Sequence, residues 1–222
     1  MTVEACIFDF DGTLADSMWV WTEIGNRFLE KYQIPSYQGF SEELALLGFE
    51  AGSRTFVKRW NMPVTPDQLV EEWQNQAKES YATNVWLKPY AEQYLRELKE
   101  QGVKIAVATA QQRLTLDLAL RNEGVYDLFD VTLVCDECTS TGKATPAVYV
   151  TAAKMLGESP DDCVVFEDVL GPAKQAHAGG FRVVGVYDES PAQDHQALAA
   201  EADRFIRSYQ ELLGTSAQDL LP

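Results

Sequence analysis

From residue 91 to residue 206, helix-like and strand-like patterns alternate, and that order narrows the possible folds more than any other feature of the chain. Ala91 to Gln101 places Tyr94, Leu95 and Leu98 on one helical face and stops at Gly102. Lys104 to Ala108 reads as an apolar strand, Leu114 to Asn122 as a helix, and Val131 to Cys135 as a strand. A helix opened by Thr145-Pro146 runs to Leu156; Val164 to Phe166 is then strand-like and Gly171 to Ala178 helical. Val183 to Val186, a helix from Gln193 to Glu201 and a short Phe205-Ile206 strand complete the series. A chain ordered in this way buries its strands in a parallel sheet, with right-handed helical crossovers covering the faces. The predicted fold class is α/β, a doubly wound parallel sheet.

The first strand, Ala5 to Phe8, is apolar on both faces and is followed by a long stretch without strands. Asp16 and Ser17 are N-cap candidates for a helix to about Tyr32, with Trp19, Ile24, Phe28 and Leu29 on its apolar face. Pro35 and Gly39 end it. Ser41 caps a short helix from Glu42 to Leu47 that Gly48 stops, and a further helix spans Ser53 to Trp60. Thr65-Pro66-Asp67-Gln68 has the capping-box pattern and opens a helix to about Ala82. The expected division is a core of residues 1–15 and 86–214, a helical insertion of residues 16–85, and a frayed tail of residues 215–222.

Of the 222 residues, 46% are hydrophobic, enough for one full core and a smaller accessory domain. A net charge of -16 rules out the basic footprint of a nucleic-acid binder, and an anionic membrane would repel it. No apolar run is long enough to span a bilayer, and no basic leader precedes the first strand, so the expectation is a cytoplasmic monomer or homodimer acting on a small molecule. Cys6 and Cys163 lie in apolar runs and read as buried thiols. Cys135 and Cys138 have metal or redox spacing but no second Cys/His pair, so they read as two reduced cysteines at a strand end, with zinc or thiol chemistry the alternative.

The first strand runs into Asp9-Phe10-Asp11-Gly12-Thr13-Leu14. Extended backbone alternates faces, so Asp9 and Asp11 are expected to point the same way, and Gly12 lets the chain turn. Two carboxylates so close repel unless a cation lies between them, and oxygen ligands suit a hard divalent ion such as Mg²⁺. One carboxylate could then attack phosphorus and the other move a proton. Taken alone, an ordinary strand exit with solvated acids explains this stretch equally well. In an open α/β sheet, however, ligands lie beyond the carboxyl ends of the strands. Those exits supply Asp9 and Asp11, then Thr109 with Ala110, then Gly142-Lys143, then Glu167-Asp168. Singly they read as a helix cap, a solvated charge and a common acidic exit. Together they are the set that phosphoryl transfer to an aspartate needs.

These residues resemble the four signature motifs of the haloacid dehalogenase superfamily, over Val3 to about Leu213. The insertion resembles that family's small helical cap, and Gly142 to Pro146 and Phe166 to Gly171 resemble segments of cap-bearing phosphatases and phosphosugar mutases. The resemblance implies that Asp9 is the nucleophile forming an aspartyl-phosphate, and that Asp11 is the general acid and then the base. It implies Mg²⁺ on the Asp9 carboxylate, the Asp11 backbone carbonyl and the Asp168 carboxylate, with Glu167 behind them. Thr109, Ala110 and Lys143 would hold the phosphoryl oxygens. Cap residues Trp21 and Arg54, with Trp19, Phe49 and Lys58, would read the rest of the substrate. Two positions depart from the family pattern: Val169 replaces a common serine, and Ala147 a usual aspartate.

Asp11 argues against the members that displace halide or cleave phosphonates. The sugar-phosphate mutases carry a histidine in the cap hinge, where this chain has Trp21, and its two histidines, His177 and His195, lie far along the chain. The resemblance therefore implies a phosphatase acting on a sugar phosphate or similar phosphomonoester, with a beta-phosphoglucomutase-like phosphohexose mutase as the alternative. A non-enzymatic receiver domain is more remote: its acidic pair is adjacent rather than spaced by one, and it lacks a helical insertion.

Overall fold

A computed structural model describes residues 2–35, 37, 40–190 and 194–221, without the side chains of residues 41, 42 and 45–48. It divides into two compact units, residues 1–16 with 86–222 and residues 17–85.

The first unit is built on six parallel strands: β1 (Ala5–Phe8), β4 (Lys104–Thr109), β5 (Val131–Val134), β6 (Cys163–Glu167), β7 (Arg182–Val186) and β8 (Arg204–Ile206). Between β1 and β4 the same unit holds two short strands, β2 (Ala15–Asp16) and β3 (Trp86–Leu87). The sheet order is β5-β4-β1-β6-β7-β8. The chain winds outward on one side of β1, crosses back, and winds outward on the other. The switch falls at β1, flanked by β4 and β6, which is where an open α/β sheet places its ligand crevice. All four residues of β1 are buried, as an interior strand of a covered parallel sheet requires. The connecting helices are α4 (Ala91–Glu100), α5 (Arg113–Asn122), α6 (Ala147–Leu156), α7 (Leu170–Ala178) and α8 (His195–Glu201). Tyr94, Leu95 and Leu98 are buried on α4, as their spacing predicts. The helix expected from Gln193 begins at His195 with Asp194 as its cap; Gln193 itself lies outside the described residues.

Two expectations for this unit are corrected. Asp16 is not helical: β2 pairs antiparallel with β3 (Ala15 opposite Leu87, Asp16 opposite Trp86), a contact two residues long and too short to leave a periodic signal. The tail is not frayed. Gln218 exchanges hydrogen bonds with the Val3 backbone at 2.8 and 3.1 Å, Arg204 donates to the Leu220 carbonyl at 2.9 Å, and Ala217 and Leu220 are buried. The anchoring partners are remote in sequence, so composition near the terminus cannot reveal them.

His177 ties α7 to the end of α8. Its Nδ1 is 2.9 Å from a Glu201 oxygen and its Nε2 3.0 Å from Asp203. Burial lowers the imidazole pKa, but hydrogen bonds to Glu201 and Asp203 outweigh that and hold it above its usual value. A raised folded-state pKa contributes stability that is full below the unfolded value and is lost as pH rises through the folded one. After allowance for solvent screening, His177→Ala is expected to cost about 1 kcal/mol below roughly pH 6 and less at higher pH. Urea unfolding at acidic and alkaline pH measures this; an equal loss at both would show that the imidazole charge plays no part.

The second unit consists of α1 (Met18–Lys31), α2 (Phe40–Arg59) and α3 (Pro66–Thr83). Its core is aromatic: Phe28 stacks on Phe40 at 5.0 Å and meets Trp73 edge-on at 5.6 Å, and Phe40 lies 4.9 Å from Phe56. Thr65 and Gln68 form the expected capping box. Ser17 occupies the N-cap position of α1, but its side chain makes no cap bond. The buried stripe of α1 is Val20, Ile24 and Phe28, while Trp19 is exposed. The two helices expected on either side of Gly48 are one helix, α2, which also takes in Ser41. An interior glycine costs about 1 kcal/mol relative to alanine, and burying Phe40 and Phe56 at about 2 kcal/mol each overrides that. The break expected at Gly39 lies outside the described residues.

Candidate active site

The exits of β1, β4 and β6 meet at the switch point. β1 ends at Phe8, and Asp9 follows with its amide donating to the Phe166 carbonyl at 3.0 Å, so its backbone is fixed against β6. The chain then tightens into a loop: Gly12 adopts φ 73 and donates to the Ala15 carbonyl, and Leu14 and Ala15 both donate to the Phe10 carbonyl. Asp11 is therefore placed by this loop and not, as expected, by strand alternation past Phe8. Tyr209 donates to the Thr13 carbonyl at 3.2 Å, and the buried Thr13 hydroxyl donates to Asp168 Oδ1 at 2.9 Å.

Asp9, Glu167 and Asp168 are buried, with one oxygen of each within 4.8 Å of the others. Lys143, on the loop before α6, lies 2.5 Å from Asp9 Oδ1 and also donates to Glu167 Oε1. The Tyr149 hydroxyl, one turn into α6, donates to the same Glu167 oxygen at 2.5 Å. Burial lowers the Lys143 pKa, but the Asp9 and Glu167 charges more than offset it, so the side chain is firmly cationic. Lys143 thus serves Asp9 and Glu167, and the Lys88 charge favours the ionised form of Asp168 against larger opposing effects. Burial, and then Asp9, push Asp168 well up; burial and the Asp9 charge raise Glu167 against the opposing pull of Lys143.

Glu167 Oε2 is buried with no hydrogen-bond partner among the described residues. An orphaned carboxylate oxygen inside an acidic cluster is the arrangement that a hard divalent cation completes. The residues present therefore fit such an ion, with Glu167 lying in one cluster with Asp9 and Asp168 although it is expected behind them.

At the β4 exit, Thr109 is its last residue, buried, and Ala110 is the exposed residue after it. Gln111, which no motif announces, is buried and donates from Nε2 to both Asp11 oxygens, at 3.3 and 3.2 Å. Like Tyr149, it is a neighbour of the site that only the tertiary fold reveals. Its sole sequence clue is its position two residues beyond a strand end. Val169 occupies the N-cap of α7 without a side-chain acceptor, and Ala147 is the first residue of α6.

The remaining candidates fall elsewhere. In the helical unit Trp21 packs on Phe49 at 5.5 Å and Tyr81 at 6.4 Å, and Arg54 is exposed and bonded to Glu50 at 3.4 Å. Lys58 is exposed. Cys135 and Cys138 are free thiols just after β5, and burial pushes the Cys135 thiol up to about 12.

Comparison with known proteins matches this arrangement. The model of the haloacid dehalogenase-like hydrolases matches residues 3–172. The "Probable pseudouridine-5'-phosphatase" of Saccharomyces cerevisiae is 30% identical over 97% of this chain and 94% of its own length. A protein of the same name from Drosophila melanogaster is 29% identical over 90% and 91%. Among solved structures, CbbY from Rhodobacter sphaeroides in complex with xylulose-(1,5)bisphosphate superposes with a TM-score of 0.83 over 99% of this chain and all of that one, at 23% identity. A beta-phosphoglucomutase from Clostridium difficile gives 0.80 at 21% identity, over 98% of this chain and 96% of its own. Those two likenesses concern the fold. With a six-stranded parallel sheet, an acidic cluster at its switch point and a family match over most of its length, the chain belongs to the haloacid dehalogenase-like hydrolases.

Proposed function

We propose that this protein is a magnesium-dependent phosphatase that hydrolyses a small phosphorylated metabolite, a sugar phosphate or similar phosphomonoester, through an aspartyl-phosphate on Asp9. The observation that carries the reading is the pairing of Asp9 with Lys143 beside Glu167 and Asp168 at the switch point. Family membership and relatives named as phosphatases support it.

An Asp9 carboxylate oxygen attacks phosphorus as the bond to the leaving oxygen breaks. Asp11 delivers the proton that the leaving alkoxide needs. It then takes a proton from water, whose oxygen attacks phosphorus, releasing inorganic phosphate and restoring Asp9. Lys143, held cationic, meets a phosphoryl oxygen, and Thr109 and the Ala110 amide take others. The Asp9 and Asp168 carboxylates and the Asp11 backbone carbonyl would hold the ion, with Glu167 beside them, and it would supply positive charge against the phosphoryl oxygens. Burial of Asp9, Thr109, Glu167 and Asp168 keeps bulk water from competing for these four side chains. Arg54 and Trp21 remain the proposed readers of the substrate's other half.

A phosphate-release assay tests this on pseudouridine 5'-phosphate, xylulose 1,5-bisphosphate and glucose 1-phosphate, with glucose 6-phosphate monitored. Many turnovers are expected, abolished by a chelator and restored by magnesium. Conversion of glucose 1-phosphate to glucose 6-phosphate without phosphate release would identify a mutase. A single phosphate per chain would identify a switch, and activity unchanged in excess chelator would remove the metal.

A further inference from the structure

Asp11 sits in the loop after β1, and Gln111 lies two residues beyond the end of β4, the strand paired with β1. Their meeting is thus fixed by the sheet. Gln111 is 4% exposed, and its backbone amide donates to Thr109 Oγ1 at 3.1 Å, which pins the turn carrying it. The side-chain amide of Gln111 donates from Nε2 to both Asp11 oxygens, straddling them at 3.3 and 3.2 Å. Its Oε1, by contrast, is buried with no partner among the described residues. Packing alone does not account for that. A leucine fills similar space with no stranded oxygen, and buried amide groups are satisfied as a rule. What the amide contributes here is its grip on Asp11.

That grip has a defined character. Two contacts from one nitrogen, at 3.3 and 3.2 Å, set the direction in which the carboxyl points. A general acid needs such a fixed direction toward the leaving oxygen. We propose that Gln111 is the positioning residue for Asp11, holding its carboxyl in line with the leaving group. The inference rests on the phosphatase reading in which Asp11 is the general acid.

Leaving-group dependence tests it. Dinitrophenolate departs without a proton, whereas a sugar alkoxide needs one. First-turnover rates are compared for 2,4-dinitrophenyl phosphate and for a sugar phosphate that the wild type hydrolyses, with magnesium present. Gln111→Leu is expected to slow the sugar phosphate about tenfold, a part of the ~10²–10⁴ that general acid catalysis supplies, with KM unchanged. The dinitrophenyl ester should be cleaved at close to the wild-type rate. Equal slowing of both esters, or of neither, overturns the proposal. If the leucine variant does not fold, Gln111→Asn, which keeps an amide but withdraws it by one methylene, is held to the same selectivity. Asp11→Asn is the control and should show the selectivity more strongly. If it shows none, the acid reading of Asp11 fails and the inference with it; if Asp11→Asn is selective and Gln111→Leu is not, only the inference fails.

Discussion

Asp9→Asn is expected to yield a protein that folds at least as well as the wild type and turns over no substrate. An amide nitrogen or oxygen cannot take up the phosphoryl group as an acyl-phosphate, so the loss should reach at least about 10³-fold. Stability should move the other way. Asp9 is one of three buried carboxylates, and its charge is among the causes that raise both neighbouring acids. Removing it relieves that repulsion, while Lys143 keeps Glu167 as a partner. In the presence of a chelator the variant should therefore melt at or above the wild-type temperature. Thermal unfolding together with phosphate release measures both sides. Turnover above a few per cent of wild type would refute the nucleophile, and a large fall in melting temperature would show that Asp9 is needed for the fold.

Lys143→Met should be damaging on both counts. Its ammonium is the cation that faces both Asp9 and Glu167, and its side chain is only 9% exposed. Breaking a buried pair by removing one partner leaves uncompensated charge, typically at a cost of about 3–5 kcal/mol. The penalty has a direction in pH. Lys143 stays cationic in the wild type throughout the neutral range, so the change lies in the acids it leaves behind. Near pH 5 the raised Glu167 is protonated and only the Asp9 contact is lost; near pH 8 Glu167 must ionise without its ammonium and the loss is larger. Urea unfolding in chelator at the two pH values tests this, and equal losses would mean that the lysine matters for packing rather than charge. Activity should fall at least ~10²-fold, since one charged contact to the phosphoryl oxygens is lost.

Asp9 is legible in the sequence because it directly follows an apolar run that reads as a strand, whereas Lys143 lies well past the end of β5 and stands out only as one of the four motifs taken together. Strand ends fix where side chains go, and the topology rule does the rest. The capping box at Thr65 was legible for a similar reason, since both partners lie within one turn. What stayed hidden depends on partners remote in the chain. Gly48 looks like a helix stop until the aromatic core of the helical unit is assembled around α2. The tail looks loose until Gln218 finds Val3, 215 residues away. Gln111 and Tyr149 are unremarkable letters until the sheet brings them beside Asp11 and Glu167, 100 and 18 residues distant. Asp11 was placed in the right region for an incomplete reason, because the loop closed by Gly12 and Ala15 sets its position once β1 has ended.

The antiparallel contact of β2 with β3 brings the departure and return of the chain side by side, Asp16 opposite Trp86. Residues 17–85 therefore leave the catalytic unit through a doorway two residues wide, and everything the sheet needs lies on its near side. Such an architecture lets selection rewrite, lengthen or exchange the excursion without disturbing the register of any strand that carries a reacting group.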